Sequence, residues 1–127
     1  GVEMSNILDK HYEAVCERYG ADNIFFMFLY GSQNYGIDTS SSDIDSKAVI
    51  FMSEDDVYWR HKIDSHIFFE DGSLCEVMDL VTFIKELLNY KITLLECFIT
   101  DTVIINSKYE DLFQEFLHLD GPVFDYN

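Results

Sequence analysis

The chain has little of several features that mark particular classes of protein, and each shortage excludes one. Its 127 residues contain one proline and three cysteines, and no two cysteines have the C-x-x-C spacing of a zinc or redox site. No apolar run approaches the roughly 20 residues needed to span a bilayer, and the amino-terminal residues lack the pattern of a secretory signal. We therefore expect a cytoplasmic protein without disulfides that does not enter a membrane.

Two common catalytic motifs are absent as well. Neither a G-x-x-x-x-G-K-[ST] phosphate loop nor a G-x-S-x-G nucleophile elbow occurs in the sequence. These absences argue against a P-loop NTPase and against a serine hydrolase.

Basic residues are scarce, since 8 Lys and Arg stand against 24 Asp and Glu, for a formal charge of −16. A surface of this sign repels the phosphates of nucleic acid, so we do not expect long nucleic acid to bind this domain by itself. A nucleoside triphosphate is a different ligand, because a divalent cation and a few lysines can neutralise its charge locally.

Apolar residues, by contrast, are plentiful at 48% of the chain. We expect residues 1–127 to form one domain with a substantial core, either complete or as the amino-terminal part of a longer protein. Apolar residues at helical spacing predict a helix from Ile7 to Tyr19, closed by Gly20. His11 lies beside this apolar stripe and is expected to be half-buried or at the surface. An unbroken apolar run predicts a strand covered on both faces at Ile24–Tyr30.

The rest of the chain alternates between strand and helix patterns, which predicts an α/β (α+β) fold. The pattern predicts a strand, a hairpin closed by Asp71-Gly72 in a type I′ turn, a helix capped by Asp79, a short helix, an edge strand, and a last helix opened by a Ser107–Glu110 capping box. These elements occupy residues 43–52, 66–78, 80–89, 93–98, 102–106 and 107–120. Trp59 is expected to pack in the core rather than to stack on a base.

Most candidate functional residues lie within residues 24–52, which form two predicted strands joined through a glycine turn. Along a strand Asp43 and Asp45 point to the same side, less than about 7 Å apart. Two carboxylates on one face suit Mg²⁺, which is usually held by one or two carboxylates plus substrate phosphates. Gly31 lets backbone N–H groups approach a phosphate closely, and Ser32 adds a hydroxyl donor. A metal site and a phosphate cradle are thus predicted side by side.

The two halves of this motif, at fixed spacing, resemble the signature of the DNA polymerase β-like nucleotidyltransferase superfamily. They are most similar to the predicted nucleotidyltransferases of bacteria and phages that are grouped with an RNA-repair pathway. The matching residues are Gly31, Ser32, Tyr35, Gly36, Ser42, Asp43 and Asp45. A second segment, residues 92–98 with Glu96, is similar to that group's Asn-Pro-x-x-x-Glu-x-Leu segment, and we expect Glu96 to be structural or acceptor-side. The resemblance covers about residues 24–100.

The resemblance implies a small mixed β-sheet flanked by helices, and a reaction that depends on Mg²⁺ or Mn²⁺. That reaction would move a nucleoside monophosphate from an NTP to a hydroxyl of an RNA or tRNA end or of a protein. It implies three catalytic carboxylates that also bind the metal: Asp43, Asp45 and one on a neighbouring strand. For the third we favour Glu76, with Asp79 and Glu70 as alternatives.

The remaining nucleotide-binding residues follow from the same motif. Gly31 and Ser32 are expected to hold the β- and γ-phosphates, and the other positions of the binding segment are Tyr35, Gly36 and Ser42. Lys47 shares a strand face with Asp45. It either assists the triphosphate or balances the charge of the two aspartates.

Other interpretations stay open beside this one. Asp43 and Asp45 also fit a polar loop end with two solvated acids, and Ser32 and Gly36 also fit an ordinary turn. A catalytically silent acidic module, which mimics nucleic acid or docks on a basic partner, would keep the motif as scaffold. An enzyme of this kind would work with a partner domain, a partner protein or a second copy of itself, and a protein acceptor meets no electrostatic objection.

Overall fold

The structure is a computed structural model that describes residues 4–30, 44–59, 62–98 and 102–118. A five-stranded mixed sheet with flanking helices confirms the predicted α/β (α+β) class. The helices are α1 (Met4–Tyr19), α2 (Glu54–Tyr58), α3 (Leu80–Tyr90), α4 (Leu94–Cys97) and α5 (Glu110–Leu117). The strands are β1 (Ile24–Tyr30), β2 (Asp45–Ile50), β3 (Asp64–Phe68), β4 (Leu74–Asp79) and β5 (Val103–Ile105). Single 3-10 turns span Ala21–Asn23 and Ser107–Tyr109.

The strands lie in the order β3-β4-β2-β1-β5. The pairing of β2 with β4 is parallel, and the other three pairings are antiparallel. Strands β2 and β1 are therefore central, and β3 and β5 form the edges. Because the polypeptide leaves β2 and returns through the β3–β4 hairpin, residues about 30 positions apart become direct neighbours in β2 and β4.

The two faces of the sheet are covered by different helices. On the face we call the α1 face, Leu8 and Val15 of α1 pack on Met27, Leu29 and other buried strand residues. The opposite face, the α3 face, packs on α3, α4 and α5 through an aromatic cluster. The buried members of that cluster are Phe25, Phe26, Phe28, Val49, Met78, Phe83, Leu87, Leu94 and Phe113. Buried apolar side chains on both faces of the strand explain why β1 reads as an uninterrupted apolar run.

Most predicted elements are confirmed at these bounds, including the helix closed by Gly20, which has the positive φ of 89° that glycine tolerates. Asp79 caps α3 by accepting a hydrogen bond from the Thr82 backbone N–H. The short α4 and the edge strand β5 also lie where the pattern predicts them. None of the helices in the described ranges is both long and apolar enough to cross a bilayer.

The predicted type I′ turn at Asp71-Gly72 was wrong. A type I′ turn needs positive φ at both central residues, and here only Gly72 has it, at 88°. The Gly72 N–H donates to the Phe69 carbonyl and the Phe69 N–H to the Ser73 carbonyl. The loop therefore has three residues rather than two, so the strands are paired one residue away from the register that a two-residue turn would impose.

Three further expectations were wrong. Asn106, not a Ser107–Glu110 capping box, accepts a hydrogen bond from the Lys108 N–H at the start of the last helical segment. Trp59 is 66% exposed and lies edge-on against Tyr58, because α2 ends at the surface instead of covering the sheet. His11 is fully buried between α1 and the sheet.

Candidate functional site

The structure describes three of the sequence-predicted site residues, Asp45, Lys47 and Glu76. The other predicted positions lie outside the described residues; they are Gly31, Ser32, Tyr35, Gly36, Ser42 and Asp43. The described part of the candidate site therefore lies on β2, β4 and their neighbours.

Strand pairing brings the three described residues together on the α3 face. Side chains of paired residues share a face, so the register defines two rows across the sheet, one strand spacing apart at each step. The Asp45 row runs Phe68, Leu74, Asp45, Tyr30, and the Lys47 row runs His66, Glu76, Lys47, Phe28. Among the three candidates for the third carboxylate, Glu76 is the one adjacent to Asp45 and Lys47.

Lys47 is the centre of a charged network. Its Nζ lies 3.3 Å from Glu76 Oε1 and 3.3 Å from Glu86 Oε2, which projects from α3. The same ammonium lies 4.8 Å from the centre of the Tyr30 ring, as in a cation–π contact. The sequence left open whether Lys47 assists a triphosphate or balances the charge of Asp43 and Asp45; its described ion pairs are with Glu76 and Glu86 instead.

Glu76 has two further partners. The Tyr30 hydroxyl donates to its Oε1 over 3.4 Å, and His66 Nε2 lies 3.5 Å from its Oε2. One carboxylate is thus surrounded by a cation, a phenol and an imidazole. All of these contacts are longer than the usual 2.7–3.2 Å, so the network is loosely packed.

Burial and neighbouring carboxylates raise the pKa values of two members of the network, Asp45 and Tyr30. Burial, and then the nearby Glu76 carboxylate, raise the pKa of Asp45 above its ordinary value. Burial, followed by the charges of Glu76 and Asp45, also raises the pKa of Tyr30, so its hydroxyl stays protonated and can donate. Lys47 therefore pairs with two carboxylates, those of Glu76 and Glu86, and a third carboxylate, that of Asp45, lies near Glu76.

The other two candidates for the third carboxylate are placed differently. Asp79 is buried and accepts hydrogen bonds from the Thr82 N–H and hydroxyl and from the Ile63 N–H. Burial alone would raise its pKa, but these hydrogen bonds outweigh burial and lower it. Glu70 lies exposed in the hairpin turn. Asp79 is a structural capping residue, and Glu70 is outside the network.

Among the elements that the structure describes, the network lies where the helical cover of the α3 face ends. Beneath α3, α4 and α5 the rings of β1 are buried, whereas the outward side chains of the edge strand β3 are exposed. Asp45, Lys47 and Glu76 lie between these zones and are half-buried. A cleft of about 410 Å³ runs along one side of α3, and Lys85 and Glu86 are among its lining residues. Glu86 thus belongs both to the cleft and to the network.

In residues 4–30, 44–59, 62–98 and 102–118, no group of three or more His, Cys, Asp or Glu side chains has the geometry to hold a metal ion. The predicted ligand set includes Asp43, which lies outside these ranges. Asp45 and Glu76 nevertheless carry carboxylate oxygens, the ligand type that a hard cation prefers.

Sequence analysis missed three members of the network: Tyr30, His66 and Glu86. Tyr30 had a usable signal, since alternation from Phe28 places it on the same strand face. His66 had one only in the correct hairpin register, which pairs it with Glu76. Glu86 comes from a helix whose placement over β2 the sequence does not specify. Glu96, by contrast, has the expected structural role, as it forms a capping box with Thr93.

The α1 face holds a polar cluster of a different kind. His11 Nδ1 lies 2.7 Å from Ser46 Oγ and its Nε2 lies 2.8 Å from Ser73 Oγ, while its ring stacks on Phe69 at 4.1 Å. Burial, the largest influence, lowers the His11 pKa to about 4. Both ring nitrogens are satisfied in the neutral form, so the cluster joins α1 to β2 and to the hairpin turn.

Comparisons of the chain with models of protein families, with curated proteins and with solved structures found no match.

Proposed function

We propose that this protein is a metal-dependent nucleotidyltransferase, which moves a nucleoside monophosphate from an NTP to a hydroxyl acceptor. One observation carries the proposal. On the α3 face Asp45 and Glu76 are half-buried and close enough for the Glu76 carboxylate to raise the pKa of Asp45, and Lys47 lies 3.3 Å from Glu76. A divalent cation that also binds phosphate oxygens would stabilise two such neighbouring carboxylates.

Each described residue has a role in this proposal. Asp45 and Glu76, together with Asp43, would hold Mg²⁺ or Mn²⁺. When bound, that ion neutralises charge on the phosphate oxygens and keeps the attacking and leaving oxygens in line. Lys47 donates to a phosphate oxygen in exchange for its long contacts with Glu76 and Glu86. The protonated Tyr30 hydroxyl keeps Glu76 oriented.

The nucleotide-binding part of the proposal rests on the sequence motif. Gly31 and Ser32 would bind the β- and γ-phosphates, with Tyr35, Gly36 and Ser42 in the same segment. The motif follows β1 directly and leads into β2. Strands β1 and β2 pair antiparallel with Tyr30 opposite Asp45. The last residue before the motif and the first residue of β2 therefore lie at the same end of this strand pair.

Calorimetric titration with Mg-ATP, and with the other three Mg-NTPs, tests the proposal. The wild-type protein should release or absorb heat, and Asp45→Asn should weaken binding at least about tenfold. Asp9→Asn makes the same charge change on an exposed residue of α1 and should bind like wild type. An absence of binding by the wild-type protein to all four nucleotides would contradict the proposal.

A second experiment separates the acceptor classes. The protein is incubated with labelled NTPs and either tRNA or candidate proteins, and label transfer is measured. The charge of −16 favours a protein acceptor, because it opposes approach of polynucleotide phosphates.

The same charge favours one other function, that of a catalytically silent acidic module for a basic partner. In that case the Lys47 network is only a structural ion cluster. Binding of a basic partner that is unchanged in Asp45→Asn, together with no binding of Mg-NTP, would support the module over the enzyme.

A further inference from the structure

Phe68, an aromatic residue close to the Lys47 network, is unusually exposed. Phe68, the last residue of β3, is 79% exposed, the largest exposure of any large hydrophobic side chain in the described part of the chain. Exposed apolar residues are common singly on protein surfaces. This one, however, is on the α3 face, in the same cross-strand row as Asp45.

The row fixes how far Phe68 is from the proposed phosphate site. Phe68 pairs with Leu74, and Leu74 pairs with Asp45, so two strand spacings of about 10 Å in total separate the two backbones. In a nucleotide, the base is separated from the α-phosphate by the ribose and one methylene. A triphosphate held beside Asp45 therefore leaves its base within reach of the open end of this row.

The surroundings of Phe68 suit a flat ring. The centroids of the Phe68 and His66 rings lie 6.3 Å apart with their planes at 29°, and the side chain of His66 is 45% exposed. His66 is in turn 3.5 Å from Glu76. The two rings thus extend the site outward from its charged centre along the exposed side of β3, where alternate side chains face solvent.

We propose that Phe68 is the platform on which the nucleobase of the NTP stacks, with His66 supporting the platform from the side of Glu76. The inference rests on the proposed function. Aromatic faces bind nucleobases with little discrimination among them, because every base has a π-face. The geometry therefore assigns general base binding, not base selection, to this edge of the sheet.

The test compares a nucleotide with a ligand that lacks a base. Mg-NTP, using whichever of the four binds wild type most tightly, and Mg-tripolyphosphate are titrated into wild type, Phe68→Ala and Phe68→Trp. Phe68→Ala should weaken Mg-NTP binding about 10- to 100-fold and leave Mg-tripolyphosphate unchanged. Phe68→Trp should keep the affinity for Mg-NTP.

Tyr58→Ala is the matched control, since it also removes a ring that is 76% exposed, but from α2. It should bind both ligands like wild type. In a Trp59→Phe background, the fluorescence of Phe68→Trp should be quenched by Mg-NTP and not by Mg-tripolyphosphate, a signal that a merely structural role would not produce.

The outcomes separate this inference from the function on which it rests. Equal Mg-NTP binding by wild type and Phe68→Ala would overturn the platform while leaving the nucleotidyltransferase proposal intact. Equal weakening of both ligands would also overturn it, because the ring would then act on the phosphate site. Wild-type protein that binds neither ligand would overturn the proposed function itself, and the platform with it.

Discussion

Polar side chains have different surroundings on the two faces of the sheet, although β2 contributes polar residues to both faces. Ser46 points into the α1 face, where it bonds to the buried His11. Its neighbours Asp45 and Lys47 point into the α3 face and remain half-buried beside Glu76 and Glu86. The hydrogen bonds of His11 to Ser46 and Ser73 are 2.7 and 2.8 Å long, whereas the contacts of Glu76 with Lys47, Tyr30 and His66 are 3.3–3.5 Å long.

The difference separates polar residues that hold the fold from polar residues to which we assign ligand binding in the proposed function. Burying a polar group inside a protein is tolerated when all its hydrogen bonds are made, and the His11 cluster meets that condition. In the Lys47 network, by contrast, the contacts between described residues are longer, and burial and Glu76 raise the pKa of Asp45. Strain of this electrostatic kind is typical of binding sites.

The largest expected effect concerns the closed face at acid pH. Because burial lowers the His11 pKa from 6.5 to about 4, the unfolded chain binds the proton more readily than the folded protein does. Stability from neutral His11 is therefore complete above pH 6.5 and is lost as the pH falls towards 4. The loss should be on the order of 3 kcal/mol, measured by urea unfolding across this range.

His11→Gln keeps hydrogen-bonding groups for Ser46 and Ser73 but cannot titrate. Its free energy of unfolding should be lower at pH 7.5 and should change less than that of wild type between pH 6.5 and 4. Parallel pH profiles for the two proteins would contradict the assignment of a neutral, buried His11.

The next effect distinguishes a structural carboxylate from a binding one. Asp79→Ala removes the cap of α3 and the acceptor of the Ile63 N–H, so we expect a loss of about 2 kcal/mol in denaturant unfolding. Glu76→Gln should cost less stability and should instead weaken Mg-NTP binding. If Asp79→Ala folds and loses Mg-NTP affinity while Glu76→Gln keeps it, the third carboxylate has been assigned wrongly.

A smaller effect has the opposite sign. Asp45→Asn removes a carboxylate that burial and Glu76 hold at a raised pKa, so without Mg²⁺ the variant should be more stable than wild type by about 0.5–1 kcal/mol. Adding Mg²⁺ should raise the melting temperature of wild type and not that of the variant. A variant that is less stable than wild type without Mg²⁺ would mean that Asp45 is satisfied within the fold.

The smallest effect is expected at Glu96, whose carboxylate accepts a hydrogen bond from the Thr93 N–H. Glu96→Ala should lower the free energy of unfolding by about 0.5 kcal/mol through loss of the capping box. Mg-NTP binding should be unchanged. Reduced binding with unchanged stability would place Glu96 in the site rather than in the α4 cap.

Local patterns were sufficient for the elements and insufficient for their pairing. The apolar run of β1, the Asp79 cap and the alternation that groups Asp45 with Lys47 all depend on nearby residues, and the structure confirms them. The hairpin turn did not follow the Asp-Gly preference, because Gly72 alone takes positive φ.

That one difference had a large effect on the site. A two-residue turn would pair Glu76 with Ile67, whereas the three-residue loop pairs it with His66 and pairs Ile67 with Cys75. Nothing local in the sequence selects between the two loops. Similarly, the burial of His11 depends on how α1 docks on β2 and the hairpin turn, which is a matter of tertiary packing.

The parallel pairing of β2 with β4 has a consequence for how the protein tolerates change. Asp45 and Glu76 meet through the ladder itself, and the described residues of the intervening stretch, 51–59 and 62–63, contribute no side chain to the two rows. Insertions or deletions within that stretch should leave the charged centre in register. Cutting the chain there should instead yield two fragments, each with half of the network, whose recombination would bring the two halves together.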